Sequence, residues 1–395
     1  MRTDIKRALV ATFVARSAAN GALRVVYPFL PAIARGLGVG PGTLSSLIAL
    51  RNLGGLATPV VARLSERRGR RWMMLVAMLA ITAGCVLTFA TDLFIVAGVG
   101  IVLVGLATPA FAIPMQAWFG DRVPYAERGR VFGITELTWS MGLLSVVPIS
   151  GFLIERTSWR APFILLSVFS AIGALAVVRG IDSDRPKERT AHRLVLTSVR
   201  VRVLAVALLF SVAAEIPFIV YGQWLEGSFG LSVAGIGAFT IVVVAAELTG
   251  GVLVTLYGDR WGLRRTVLGG LLVSGVAYLG FSVTGSELLL GMVVVVAWIA
   301  AFEVTVVAAI PFASELAVEA RERLLSMFTV MIAVGRAIGA LAAQPLFAAG
   351  GIGRAGLVSA GCVVAATVLL RQVKEHDPAV PAPTEAMGDH GQAST

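Results

Sequence analysis
The sequence predicts an all-α membrane protein, with about twelve transmembrane helices in two pseudo-symmetric six-helix halves. Three observations predict it. First, 57% of the 395 residues are hydrophobic and only 14% are charged, whereas a soluble domain carries about 25% charged residues. Second, apolar runs of roughly 20 residues recur along the chain, the length that crosses a bilayer as an α-helix. A helix satisfies its own backbone polar groups, so helices are what such runs form in lipid. Third, a basic string occurs twice. Arg63-Leu64-Ser65-Glu66-Arg67-Arg68-Gly69-Arg70-Arg71 and Gly258-Asp259-Arg260-Trp261-Gly262-Leu263-Arg264-Arg265 each lie between two apolar runs. Glu66 and Asp259 are 193 positions apart, and Arg67 and Arg260, Gly69 and Gly262, Arg128 and Arg321, and Arg130 and Arg323 share that offset. One offset for several matches points to a duplicated bundle.

The first half is residues 1–178. The charged segment Met1 to Arg7 leads straight into a long first span, 8–33. No small-residue cleavage site follows a short apolar core, so this reads as an uncleaved helix and not a signal peptide. Arg16, Asn20, Arg24, Tyr27 and Pro28 recur at three- and four-residue steps, on one helix face. A polar stripe on an apolar helix faces water or protein. Arg24, near mid-span, is the residue singled out for substrate binding or gating. Arg16, nearer the end, can snorkel to the interface. The second span, 42–62, carries Arg51, and the first basic loop follows it. Spans 72–90, 93–118, 130–154 and 161–178 complete the half, with Glu136, Trp139 and Ser140 at helical spacing in the fifth.

Segment 179–202 is polar and charged, with Asp182, Asp184, Arg185, Lys187, Glu188 and Arg189, and reads as a cytoplasmic linker. The second half, 203–371, divides into spans 203–225, 232–257, 265–284, 288–312, 323–346 and 354–371. In the seventh span Glu215 lies two residues before Pro217, the position equivalent to Arg24 by the repeat offset. An Arg24–Glu215 contact across the interior is therefore expected. Tyr221, Gln223 and Trp224 end that span and read as an interfacial aromatic belt. The eighth span carries Glu247. In the tenth, Trp298, Phe302 and Thr305 share a face beside Glu303, which suits a wall for an apolar or aromatic ligand or simple core packing. Arg336 sits among small residues in Gly335-Arg336-Ala337-Ile338-Gly339 and is expected to pair inward, with Glu136 as its partner or that of Arg51. Residues 372–395, with Pro378, Pro381 and Pro383 and little apolar mass, are expected to be disordered. Cys85 and Cys362 fall inside spans and read as small buried apolar residues.

Ionisable side chains in hydrocarbon cost about 2.5–3.5 kcal/mol each on insertion scales, so they face a cavity or a partner. Here they are Arg16, Arg24, Arg51 and Arg336 against Glu136, Glu215, Glu247 and Glu303, a set that could pair completely. The first half supplies most of the arginines and the second most of the glutamates. His192, His376 and His390 lie in the linker or tail, so any proton relay within the spans uses glutamate. The net charge of +10 could suggest a nucleic-acid partner, but most of the basic residues sit in short loops between spans. Only Arg35, Arg156, Arg160 and Arg354 fall on the opposite side. The positive-inside rule then puts both termini in the cytoplasm, which requires an even number of spans. Nucleic acid is excluded as a partner on this distribution. No phosphate-binding Gly-Lys-Ser/Thr loop and no His/Cys cluster occur, so neither ATP-driven work, a metal nor an enzyme active site is indicated.

The first basic loop resembles the signature between the second and third helices of the major facilitator superfamily, G-x-L-x-D-R-x-G-R-R. Ala62 stands for the first Gly and Glu66 for the Asp, while Leu64, Arg67, Gly69, Arg70 and Arg71 match. The resemblance covers nearly the whole chain and implies the superfamily's fold. It implies that this loop, with Asp259 and Arg260 in the second copy, latches the ends of the two halves. The acidic residue would face a helix N-terminus, and Gly69 would permit the tight turn. Two departures weaken the likeness to the drug–proton antiporter branch. Ile101 stands where that branch has an Arg before Gly105, and Val147-Pro148-Ile149-Ser150-Gly151 keeps only Pro148 and Gly151 of its G-P-x-x-G.

The resemblance implies a monomeric plasma-membrane secondary transporter that works by alternating access about a central small-molecule site lined by helices one, four, seven and ten. Proton-coupled export of a drug-like or amphipathic molecule is the leading expectation, with no cofactor beyond the proton gradient and membrane lipid as its surroundings. The alternatives are an importer or facilitator of an organic anion or nutrient, with Arg24 and Arg51 binding the anion, and a transport-dead receptor of the same fold. Charge balance discriminates among substrates. Carboxylates free of Arg partners favour cations, free arginines favour anions, and a fully paired cavity favours neutral or amphipathic molecules.

Overall fold
The computed structural model describes residues 3–183, 195–317 and 321–373. The central part of the predicted linker, from Asp184 through Arg189 to His192, and the tail from Lys374 onward lie outside the described residues, as do the side chains of Asp259, Arg128 and Arg321. Among the described residues there is helix and no strand. The first half comprises α1 (Thr3–Arg24), α2 (Leu30–Gly36), α3 (Pro41–Asn52), α4 (Thr58–Arg68), α5 (Arg70–Phe89), α6 (Phe94–Arg122), α7 (Tyr125–Arg156) and α8 (Ala161–Gly180). The second comprises α9 (Ser198–Phe229), α10 (Val233–Trp261), α11 (Leu263–Gly280), α12 (Leu288–Glu315) and α13 (Arg321–Arg371). Nine helical runs among the described residues are long and apolar enough to cross a membrane. The first is not among them, because Lys6, Arg7, Arg16 and Arg24 load α1 with charge. Large apolar side chains such as Ile95, Val276 and Leu289 stand fully outward, a surface suited to lipid and not to water.

Two spans depart from the continuous helices the sequence predicts. The first is broken between α1 and α2, where residues 25–29 form turns. Pro28 has no N–H and its ring clashes with the carbonyl four residues back, that of Arg24, and α1 ends at Arg24. The second breaks at Leu53–Ala57, a 3-10 segment containing Gly54 and Gly55 and followed by Pro59. The Gly55 carbonyl, which Pro59 cannot serve, accepts a hydrogen bond from Thr58 Oγ1 at 2.6 Å. The connection expected at 347–353 is a tight break: α13 is two helical stretches joined at Gly350 and Gly351, whose backbone is non-helical, the latter at φ 63°. Pro109, Pro114, Pro148, Pro217, Pro311 and Pro345 lie inside helices that continue past them.

The repeat is visible in the backbone. Gly69 adopts φ 97°, ψ 145° and Gly262 φ 78°, ψ 140°, a region in which Cβ-bearing residues are strained. Each donates its N–H to the residue four back, Ser65 and Gly258, at 3.0 Å. Arg71 donates to the Val178 carbonyl, and Arg264 to the Arg371 carbonyl, the pair shifted by the same 193 positions. The halves meet where α7 packs on α10 and α3 on α13. A Cβ on Gly151 would lie 2.8 Å from the Val233 carbonyl oxygen and 3.1 Å from Gly237 Cα, so glycine sets the close approach of α7 to α10.

Candidate functional site: a charged cavity between the halves
A cavity of about 480 Å³ lies between the halves, lined by α1, α7, α9, α10, α12 and α13 and by the turn after α1. It opens toward the end that carries the chain termini, where the Glu136 side chain is 58% exposed. It closes at the opposite, distal end, where Tyr27 and Tyr221 are buried. Seven of its wall residues are arginine or glutamate: Arg16, Arg24, Glu136, Glu215, Glu247, Glu303 and Arg336.

Six of the seven form three pairs. Arg16 on α1 binds Glu136 on α7 through both guanidinium nitrogens, at 2.9 and 3.2 Å, and donates to the Thr135 carbonyl. Arg24 binds both carboxylate oxygens of Glu247 on α10, and its guanidinium lies 4.8 Å from the Trp139 ring centre. Arg336 on α13 donates through Nε to Glu215 Oε2 at 2.8 Å. Glu215 Oε1 accepts from the Tyr27 hydroxyl at 2.8 Å and from Asn52 Nδ2 at 2.7 Å, while Arg336 Nη2 donates to the Tyr27 oxygen at 2.6 Å. The last two groups join the halves: α1 to α10, and the turn after α1 together with α3 to α9 and α13. Buried pairs of this kind cost much desolvation, so removing one partner is far worse than removing both.

The pairing differs from the expected one. Arg24 does not meet Glu215. The break at residues 25–29 swings Tyr27, not Arg24, toward Glu215 and leaves Arg24 facing α10. Glu136 serves Arg16, not Arg336 or Arg51, so Arg16 is held inside the wall and does not snorkel. Arg51 is fully buried behind the floor of the cavity, donating to the Leu23 carbonyl at 2.8 Å with its guanidinium 4.9 Å from the Tyr27 ring centre. Asn20 also lies behind the wall, with Nδ2 3.4 Å from Thr138 Oγ1. Trp298 is buried behind Phe218, its indole N–H donated to the Tyr278 hydroxyl, while Phe302 lies on the wall. The predicted aromatic belt at the end of α9 is internal. Tyr221 lines the cavity, Trp224 packs edge-on to Phe229 and Phe281, and Gln223 accepts from Gln344. Asn52, Tyr221, Phe210 and Phe218 are wall or network residues that periodicity did not select. For Asn52 the signal was present, as a second polar residue beside Arg51 in an apolar run.

Glu303 is the exception to pairing. It lies on the α12 wall with its Cβ against Gly250 of α10, and among the described residues no hydrogen-bond or ion-pair partner reaches it. The charged groups around it are Glu247, Arg24 and Glu136.

The two ends of the interface differ. At the distal end Arg35 pairs with Glu226 at 3.0 Å across the halves. Glu155, at the end of α7, accepts from Ser232 Oγ at 2.8 Å and from the Ala234 N–H at 2.6 Å, so a carboxylate caps the N-terminus of α10 where the helix dipole favours it. Gly222 packs directly on the Pro28 carbonyl. At the terminal end the described hydrogen bonds of the basic loop lie within its own half. Arg70 donates to the Ala117 carbonyl and Asp121. Leu64 is half-buried, and Glu66, Arg67 and Arg260 are exposed. Glu66 has no partner among the described residues, and the Asp259 side chain of the expected latch lies outside them.

The comparisons agree with this architecture. The chain matches the Major Facilitator Superfamily over residues 9–221 and 203–393, essentially its whole length. It is 29% identical over 140 residues to the uncharacterised MFS-type transporter YwfA of Bacillus subtilis (strain 168), covering 35% of this chain and 34% of that one. It spans about a third of the length of the first such relatives. To the multi-drug resistance efflux pump PmrA homolog of Lactococcus lactis subsp. lactis (strain IL1403) it is 25% identical over 316 residues, covering 73% and 75% of the two chains. Among solved structures it superposes on a bacterial homolog of the human lysosomal transporter Spinster, in its inward-facing and occupied conformation, with TM-score 0.74 at 14% identity over 94% of this chain and 97% of that one. The duplicated helical bundle, the paired basic turns and the central cavity are those of a multi-pass membrane protein, and the chain belongs to the Major Facilitator Superfamily.

Proposed function
We propose that this chain is a proton-coupled exporter of small organic molecules that works by alternating access, with its termini in the cytoplasm. One observation carries the reading: buried ion pairs join the two halves across the floor of a cavity that is open at one end and sealed at the other. Arg24–Glu247 and Glu215–Arg336, with Tyr27 and Asn52, hold the distal end shut. Protonating either glutamate weakens its hold on the arginine opposite, and the halves can then part at that end while closing at the other. The same carboxylates thus serve as proton carriers and as bolts. The likeness to a multidrug efflux pump supports export. The anion-import reading needs a cavity arginine without a carboxylate, and each of the three on the wall has one.

The test is transport by the full chain in proteoliposomes with an imposed pH gradient, against a charge-diverse panel of drugs. Gradient-driven accumulation of at least one member, abolished by Glu247→Gln or Glu215→Gln, is the expected result. Accumulation that ignores the gradient eliminates proton coupling, and binding without flux for every member eliminates export in favour of a receptor.

A further inference from the structure
The cavity wall carries three arginines and four glutamates. Three glutamates are matched one to one, so the wall retains one unmatched carboxyl group, that of Glu303. Arg51 does not match it on the wall, because that guanidinium stacks on Tyr27 behind the floor. The surface flanking Glu303 is aromatic. Phe302 is its neighbour on α12, with Phe218 at 5.7 Å between ring centres and Phe210 at 6.3 Å, both from α9. Trp298, behind, backs Phe218 at 4.6 Å. Aromatic faces attract cations electrostatically while burying large area, and a carboxylate in such a place has no internal cation to satisfy it.

We infer that the cavity takes a lipophilic monovalent cation, with Glu303 as its counter-ion and the Phe210–Phe218–Phe302 wall as its apolar seat. This rests on the reading of the cavity as a transport site. A single positive charge balances the wall, whereas a dication overshoots it and an anion adds to an existing excess. Binding such a cation requires breaking none of the three ion pairs, so the cation can enter without opening the distal end. Glu303 is thereby separated in role from Glu247 and Glu215, which bridge the halves.

The experiment measures binding of tetraphenylphosphonium and of its anionic analogue tetraphenylborate to the purified full chain in nanodiscs, by titration calorimetry. The wild type should bind the cation and not the borate. Glu303→Gln should weaken cation binding by about tenfold or more, the loss of one charge-assisted contact. Glu303→Asp, which keeps the charge, should bind within a few-fold of wild type and shows that the site still folds. Equal binding of the two ions, no binding of the cation, or a Glu303→Gln variant that binds like wild type overturns the inference. Failure of the transport reading looks different: cation binding that depends on Glu303, in a protein that moves nothing across a liposome membrane.

Discussion
The two halves repeat each other at their basic turns and diverge in the cavity. Gly69 and Gly262 share one unusual backbone conformation, and Arg71 and Arg264 reach equivalent carbonyls. On the cavity wall, by contrast, the first half presents Arg16 and Arg24 with one glutamate. The second presents Glu215, Glu247 and Glu303 with one arginine. The turns answer to local backbone geometry, which is the same in each copy. The cavity answers to what lies opposite, so complementary charge replaces symmetry there. Ion pairs between unlike faces can hold the halves together in one state and release them in another; identical faces would have met like with like.

Four predictions sharpen or break that comparison. The largest effect is expected at Arg24. Arg24→Ala strands the buried Glu247 and should destabilise the protein by about 3–5 kcal/mol, read as a lowered unfolding midpoint in detergent. The Arg24→Ala/Glu247→Gln double variant should recover most of that stability and none of the transport. No recovery would show that the pair is not the coupled unit.

Next is Gly222, whose Cβ would strike the Pro28 carbonyl. Gly222→Ala should cost about 1–3 kcal/mol of strain if the distal end stays shut, or relieve it by opening. Spin labels on the exposed Thr157→Cys and Ser228→Cys would then lie farther apart. An unchanged distance together with unchanged stability would contradict the seal.

Gly69→Ala and Gly262→Ala follow. Each places a Cβ at positive φ, costing about 1–2 kcal/mol, and the two costs should agree. A marked inequality would mean the turns are alike in shape but not in load. The smallest effect belongs to Arg35→Ala, since Arg35 and Glu226 are half-exposed or nearly so, and such pairs contribute less than about 1 kcal/mol. A larger loss would make that pair a principal element of the distal seal.

The sequence alone determined the helical membrane fold, the duplication and the set of charges that must be accommodated. Each of these follows from local or one-dimensional rules: apolar length, an offset repeated along the chain, and the cost of charge in hydrocarbon. It also placed Arg24, Glu215, Glu247, Glu303 and Arg336 among the residues to watch, because ionisable groups in apolar runs are conspicuous one at a time. Only the tertiary structure decided which of them meet. Helical periodicity places Arg16, Asn20 and Arg24 on one face of α1, but not which neighbour that face meets after Pro28 breaks the helix. Offset arithmetic set Arg24 beside Glu215, whereas the turn at residues 25–29 gave that place to Tyr27. Trp298 and Phe302 share a face, yet Trp298 packs behind Phe218 while Phe302 lies on the wall. That Glu303 stays unmatched on the cavity wall, and Arg51 without a carboxylate behind it, depends on the tilt, rotation and breaks of several helices at once, and those are set by packing across the whole bundle.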